Sequence, residues 1–321
     1  MKAVEIHNLE GPDSALRVAE MPDPTPSPEQ VLVEVHAVGV SFPEVLQTRG
    51  MYQFKPELPF IPGSEVGGVV RSAPADSGFA PGDRVAAFTM LGAFAELAVA
   101  LPAHVAALPD DLDFQQGAAL ILNYHTAWFS LVTRGRLKAG ERVLVHGAAG
   151  GVGTASLQVA KGFGAETVAI VSTDAKEEVA RAAGADHVFR SDGDWREAAK
   201  ALGGIDVVID PVGGDRFTDS IRSLRTGGRV VVVGFTEGSI PEVKVNRLLL
   251  GNTEIVGAGW GAYALARPDY VAATTAEIAK LIDAGFVKPI IGAVFPLDQA
   301  AEALKLIDSR GATGKVVLDL A

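Results

Sequence analysis

The chain has 321 residues, 48% of them hydrophobic, with 36 glycines, no cysteine and a formal net charge of −11. That length favours two domains over one, and a mean hydropathy of +0.24 supplies too much apolar surface for a disordered chain. The acidic balance, with no Lys/Arg block, argues against nucleic acid as a partner, and the lack of cysteine removes disulfides and thiolate chemistry.

The opening "MKAVEIHNLEG" is charged and does not read as a signal peptide. No stretch approaches ~20 uninterrupted apolar residues, so no membrane span is expected and the cytoplasm is the expected address. "QVLVEVHAVGVS" (30–41) alternates as a strand does, and "EVGGVVRSA" and "GDRVAAF" add further strands. "AFAELAVALPAHVAAL" reads as a strand pair interrupted by Pro102. "FQQGAALILNYHTAWFSLVTRG" is helical in character. After it strands and helices alternate through "ERVLVHG", "GVGTASLQVAKGFG", "TVAIVS", "AKEEVARAAG", "IDVVIDPVGG", "RVVVVGF" and "TEIVGAGW". Near-continuous Val/Ile runs between amphipathic helices describe a parallel sheet covered on both faces. Short strands return in "PIIGAVFPL" and "GKVVLDLA", around the helix "DQAAEALKLIDSR". The expected fold class is α/β. A doubly wound parallel sheet occupies residues 123–265, and a β-rich domain is formed by residues 1–122 and 266–321.

The motif with most chemical content is "HGAAGGVG" (146–153), between a strand and a helix. Its six-residue core runs Ala148, Ala149, Gly150, Gly151, Val152, Gly153, with Ala in the place of the usual first Gly of a dinucleotide fingerprint. Gly150 lets the backbone approach a pyrophosphate, and Gly153 lets the helix pack closely on the strand. The anion is expected on the free N–H groups and positive end of the helix beginning near Val152. The next strand ends in Val171-Ser172-Thr173 without a terminal acid for a ribose 2′-hydroxyl. Asp174, three residues before Glu177, reads as an N-cap with a capping box. Ser172 and Lys176 are then left to receive a 2′-phosphate, which favours NADPH over NADH.

Taken in order, "GVSFPEVLQTRGMY", "LPFIPGSEVGGVV", "PGDRVAAF", "GAALILNYHTAW", "VLVHGAAGGVG", "DPVGG", "GGRVVVVGF" and "SRGATGKVVL" resemble the medium-chain dehydrogenase/reductase superfamily, and within it the zinc-free, zeta-crystallin-like quinone oxidoreductases. The resemblance covers essentially the whole chain and implies a Rossmann domain beside a GroES-like catalytic domain. Zinc alcohol dehydrogenases of the superfamily carry Cys and His at the places that look like Ser41 and Ser64. Serine is a poor zinc ligand, so no metal is expected. The resemblance implies that Tyr52 faces the substrate, that Thr126 lies near the nicotinamide ribose, and that Ser41 contacts the substrate or the carboxamide. Many relatives have Asn at Ser41 and an aromatic at Leu46, so the acceptor pocket here is less polar on one side. Phe42 and Trp260 are candidate apolar walls. Val212, Gly234 and Phe235 end strands on the ligand-binding edge and are candidates to line the nicotinamide. Where relatives often stack a Tyr on the adenosine, near Ser191, this chain offers Arg190 as a phosphate partner, and Lys315 as another.

These residues suggest a metal-free, NADPH-dependent quinone oxidoreductase, with a quinone taking hydride in the interdomain cleft. One alternative is an NADPH-dependent enone or 2-enoyl-thioester reductase with Tyr52 as proton donor, because an enolate must be stabilised and a proton delivered to carbon. Another, of a different class, is a protein that binds NADPH without turnover. "TEIVGAGW" reads as an uncharged edge strand after Glu254, so a homodimer joined at that sheet edge is expected.

Overall fold

The structure, a computed structural model, describes residues 1–320. The chain forms two compact units: one of Met1–Leu122 with the chain from Pro289 onward, the other of Asn123–Lys288.

The first unit holds β1 (Lys2–Ile6), β2 (Leu16–Glu20), β3 (Val31–Val40), β4 (Glu65–Ser72), β5 (Arg84–Phe88), β6 (Leu97–Ala100) and β7 (Val105–Ala107). The second holds β8 (Arg142–His146), β9 (Glu166–Val171), β10 (His187–Arg190), β11 (Ile205–Asp210), β12 (Leu224–Val232) and β13 (Glu254–Gly257). The chain then returns to the first unit with β14 (Ile291–Pro296) and β15 (Lys315–Asp319).

In the first unit β1 and β2 pair with each other, and the other strands form a sheet in the order β14-β15-β3-β4-β5-β7, with β6 also on β3. The alternation predicted for residues 30–41 is observed over 31–36, where Val31, Val33 and Val35 are buried while Glu34 and His36 are partly exposed, and it gives way to an unbroken buried run at residues 37–40. These valines share a core with Val66, Val85, Phe94 and Leu304. Two registers position the site. Val316 of β15 lies opposite Val40 of β3, and Glu65 at the start of β4 lies opposite Gly39. The ends of three neighbouring strands thus bring Ser41, Glu65 and Lys315 to one place.

The second unit is a six-stranded parallel sheet in the order β10-β9-β8-β11-β12-β13. The chain leaves β8 to build outward through β9 and β10, then crosses back to β11, so the strand order reverses between β8 and β11. The crevice beyond the carboxyl ends of the strands at such a reversal is where open α/β sheets bind ligands. β13 is the edge, as expected for "TEIVGAGW".

The return to the first unit comes at Pro289 and not at residue 266. The helix Pro268–Asp283 packs within the second unit. Tyr270 Oη and Thr133 Oγ1 lie 2.7 Å apart, and Gln158 Nε2 donates to the Lys288 carbonyl at 2.8 Å. Leu281 fills the space left by Gly162, where a Cβ would lie 2.7 Å from it. The helix pattern was legible in the sequence; which unit its apolar face covers was not.

Candidate functional site

The turn after β8 stands at the reversal point. Gly147 has φ +58°, a left-handed conformation that leaves glycine the natural occupant. Gly153 permits the close approach expected of it: a Cβ there would lie 2.2 Å from the Gly147 carbonyl and 2.7 Å from Ala148. Helix Gly151–Gly162 begins at N-cap Gly150 with no side chain capping it. Its first N–H groups lack partners within the helix, so the end is a ready anion site. Ala149 is buried, whereas Gly150, Gly151 and Val152 keep partial exposure. Asn123 packs across Gly151, where a Cβ would come within 2.5 Å of its amide nitrogen, a neighbour the motif itself does not reveal.

The turns after β11 and β12 close on the same edge. A Cβ on Gly147 would touch Val212 at 3.2 Å, one on Gly213 would meet the Phe235 ring at 2.9 Å, and one on Gly234 would lie 3.3 Å from the Pro211 carbonyl. Val212, Gly234 and Phe235 are therefore brought beside the glycine turn. Asp210 has the structural role of bracing this edge: Oδ1 accepts from the N–H groups of Val212 at 2.8 Å and Gly213 at 2.9 Å. Thr126 is partly exposed on helix Ile121–Trp128.

At the end of β9, Ser172 is exposed and Lys176 Nζ lies 3.4 Å from its hydroxyl. Arg190 joins them by donating to the Ser172 carbonyl at 2.5 Å. The N-cap of the following helix is Thr173, whose hydroxyl accepts from the Lys176 N–H, and not Asp174. Asp174 is the first helical residue and pairs instead with Arg190 at 2.5 Å. The short Thr side chain reaches the third N–H from the cap position, which leaves the acid free to face the guanidinium.

Lys315 is not placed as a phosphate partner. Its side chain is only 3% exposed and its ammonium is bonded to the fully buried Glu65 and, at 2.7 Å, to Ser41 Oγ. A lysine committed to a buried carboxylate has no reach to a surface phosphate. Glu65 accepts also from the Leu122 N–H at 2.8 Å, and the missing side chain of Gly39 leaves room for it, since a Cβ there would lie 2.7 Å from Oε1. Glu44 completes the cluster. It accepts from the Ser41 N–H at 2.9 Å and from the Ser64 hydroxyl at 3.0 Å. Burial pushes the Glu44 carboxyl up to about 7, with Lys315 and the Ser64 hydrogen bond opposing the shift. The two serines read as standing at metal-ligand places thus share one carboxylate, and the positive charge beside them is an ammonium. Glu65 and the buried state of Glu44 escaped the sequence reading, although a small residue opposite an acid on paired strands is the signal that points to the first.

Tyr52 is half-buried, and its phenol is pushed up by burial and by the Glu44 charge. Phe42 and Leu46, on helix Phe42–Gln47, are partly exposed in the same unit. Trp260 is only 3% exposed and packs edge-on against His125 in the second unit, with ring centres 5.7 Å apart, so it offers a ligand little surface and its position is that of a core residue. His125 and His146 are both buried. His146 Nε2 is 2.8 Å from Ser220 Oγ.

Residues 151–280 match the family described as zinc-binding dehydrogenase, and residues 27–110 match the alcohol dehydrogenase GroES-like domain. The chain is similar to the human quinone oxidoreductase, 36% identical over 326 aligned positions that cover 99% of this chain and 97% of that protein. It is similar also to a probable oxidoreductase from Mycobacterium abscessus, with 42% identity, a TM-score of 0.90 and coverage of 100% and 99% of the two chains. The quinone oxidoreductase of Thermus thermophilus, solved also in complex with NADPH, gives 34% identity and a TM-score of 0.87 over 100% of both chains. A GroES-like β-rich unit, a Rossmann sheet with its glycine turn at the reversal point, and full-length likeness to these proteins lead to one conclusion: this chain is an oxidoreductase of the medium-chain dehydrogenase/reductase superfamily, in its quinone oxidoreductase branch.

Proposed function

We propose that the protein reduces quinones with NADPH. The observation that carries this reading is the full-length likeness to quinone oxidoreductases, one of them solved with NADPH, joined to a glycine turn whose uncapped helix end suits a pyrophosphate. The N–H groups at Gly151, Val152 and Gly153 hold the pyrophosphate, with Gly150 and Ala149 leaving the backbone bare. Ser172 and Lys176 receive the 2′-phosphate, and Arg190 assists to the extent that Asp174 releases it. Thr126, Val212, Gly234 and Phe235 line the nicotinamide. When bound, NADPH supplies a hydride. Phe42 and Leu46 give the acceptor apolar surface, and Ser41 and Tyr52 give it hydroxyls.

A quinone needs no protein acid, because its reduced form is a stabilised anion that water protonates. An enone does need one, and Tyr52 is a poor candidate, since burial and Glu44 both hold its proton more tightly. Tyr52→Phe separates the two acceptor classes. Quinone turnover within about twofold of wild type is expected, whereas enone reduction by the wild type that falls about 100-fold in the variant would identify Tyr52 as a proton donor and favour the enone.

The same reading makes the protein a homodimer. β13 is the sheet edge, and the residues leading to it expose Ile240, Val245, Leu249 and Leu250, each at least 73% accessible. Pairing two such edges buries apolar surface and satisfies the unpaired backbone. Sedimentation at micromolar concentration tests it, with Leu249→Glu/Leu250→Glu expected to give monomers.

A further inference from the structure

We infer that Lys315 and Ser41 form an oxyanion-stabilising pair, in which the buried ammonium orients the Ser41 hydroxyl to donate its hydrogen to the acceptor oxygen that becomes negative. This rests on the reading of the protein as a quinone reductase and deepens it.

Four observations carry the inference. Lys315 Nζ donates to Ser41 Oγ at 2.7 Å, so the hydroxyl oxygen is engaged as an acceptor on that side and its own hydrogen must point elsewhere. Ser41 is the partly exposed member of the cluster, whereas Glu44, Ser64, Glu65 and Lys315 are buried. Ser41 is therefore the residue through which the network reaches partly exposed surface. The Ser41 N–H is anchored on Glu44 Oε2 at 2.9 Å at the start of helix Phe42–Gln47, which fixes the residue's position before any ligand arrives. Lys315 is paired with Glu65, itself fully buried and bonded to the Leu122 N–H. A hydroxyl that accepts from a cation becomes a stronger donor, because hydrogen bonds in series polarise one another. Fixed donors of this kind act on charge as it develops.

The redox balance is simple. The quinone gains a hydride, two electrons and one hydrogen nucleus, from the reduced nicotinamide, which is oxidised. The hydroquinone monoanion that results takes one proton from water. Ser41 donates a hydrogen bond to the anionic oxygen throughout and gives up no proton. Ser41 is then a catalytic residue that touches the acceptor, and Lys315 is a positioning residue that acts through it.

The test is a cycle of Ser41→Ala, the charge-neutral pair Lys315→Met/Glu65→Gln, and the triple variant, each checked for its melting temperature and its NADPH Kd. Removing both charges together avoids leaving Glu65 buried and unpaired. Single-turnover quinone reduction is expected to fall about 10- to 100-fold in Ser41→Ala. The triple variant should be no slower than Ser41→Ala, the NADPH Kd should stay within about twofold, and Ser41→Thr should restore most of the rate. Losses that multiply in the triple variant, or an unchanged rate in Ser41→Ala, would overturn the pair.

A second readout needs no turnover. The wild type should bind 4-nitrophenolate at least about 10-fold more tightly than 4-nitroanisole, a preference lost in both Ser41→Ala and Lys315→Met/Glu65→Gln. Equal affinities in the wild type would overturn the pair. Should the wild type reduce no quinone, the functional reading falls alone, and the phenolate titration still decides between an oxyanion site and a merely structural cluster. Should the charge-neutral pair fail to fold, Ser41→Ala and Ser41→Thr decide the same question in both readouts.

Discussion

The glycine turn of the second unit and the charged cluster of the first solve opposite problems. The turn from Gly147 to Gly153 works by omission: side chains are missing where a backbone must be approached, and a helix end is left without a cap. The cluster of Ser41, Glu44, Ser64, Glu65 and Lys315 works by enclosure, burying two carboxyl groups and a lysine and satisfying them with one another, two hydroxyls and backbone N–H groups. Anion binding by backbone N–H groups needs open access and no charge of the protein's own. A buried charge, in contrast, is tolerable only when its partners are already in place. The turn should therefore be most sensitive to added bulk, and the cluster most sensitive to loss of one charge.

The largest effect expected from breaking this contrast is in the cluster. Lys315→Met alone leaves Glu65 buried beside no cation and should cost about 3–5 kcal/mol in urea unfolding, with much of it recovered in Lys315→Met/Glu65→Gln. A full loss that persists in the double variant would mean that the pair matters through packing. In the turn, Gly153→Val places atoms against the Gly147 carbonyl, 2.2 Å from where a Cβ would stand. A loss of about 3 kcal/mol is expected, with NADPH binding abolished, read from thermal melts with and without nucleotide. An unperturbed melt and Kd would show that the close approach is dispensable.

Glu44 sharpens the contrast through pH. Its folded carboxyl holds a proton up to about 7, above the ordinary 4.5. Between those values the folded state binds more protons than the unfolded, so this site's contribution to stability is complete below about pH 4.5 and is lost as pH rises through 7. Relative to Glu44→Gln, the wild type should lose up to about 3 kcal/mol between pH 4.5 and 8. Parallel pH profiles for the two proteins would show that Glu44 does not titrate in that window. The smallest effect is expected at the end of β9, where the proposed 2′-phosphate would lie. Lys176→Ala should weaken NADPH about 10-fold, near 1.4 kcal/mol, and NADH by less than twofold. Equal losses would remove Lys176 from the 2′-phosphate.

The contrast also explains what could be read in advance. The glycine turn is local: strand, turn and helix follow one another within about twenty residues, and each carries its own periodicity and its own need for glycine. The turn, the parallel sheet and the edge position of β13 were legible for that reason. The cluster is assembled from residues 41–44, 64–65 and 315, which only the register of β15, β3 and β4 brings together. Lys315 in isolation reads as a phosphate partner, and nothing local marks Glu44 as buried. Their burial is a property of neighbours far away in the chain. Thr173 displaced Asp174 at the cap for a subtler reason, since both residues cap helices well and only the pull of Arg190 on the acid distinguishes them.

The most direct test of the central claim is single-turnover oxidation of enzyme-bound NADPH, followed by absorbance, with an ortho-quinone and an enoyl thioester in parallel. Stoichiometric, rapid oxidation by the quinone is expected, and none above background by the thioester. Oxidation by the thioester alone would contradict it.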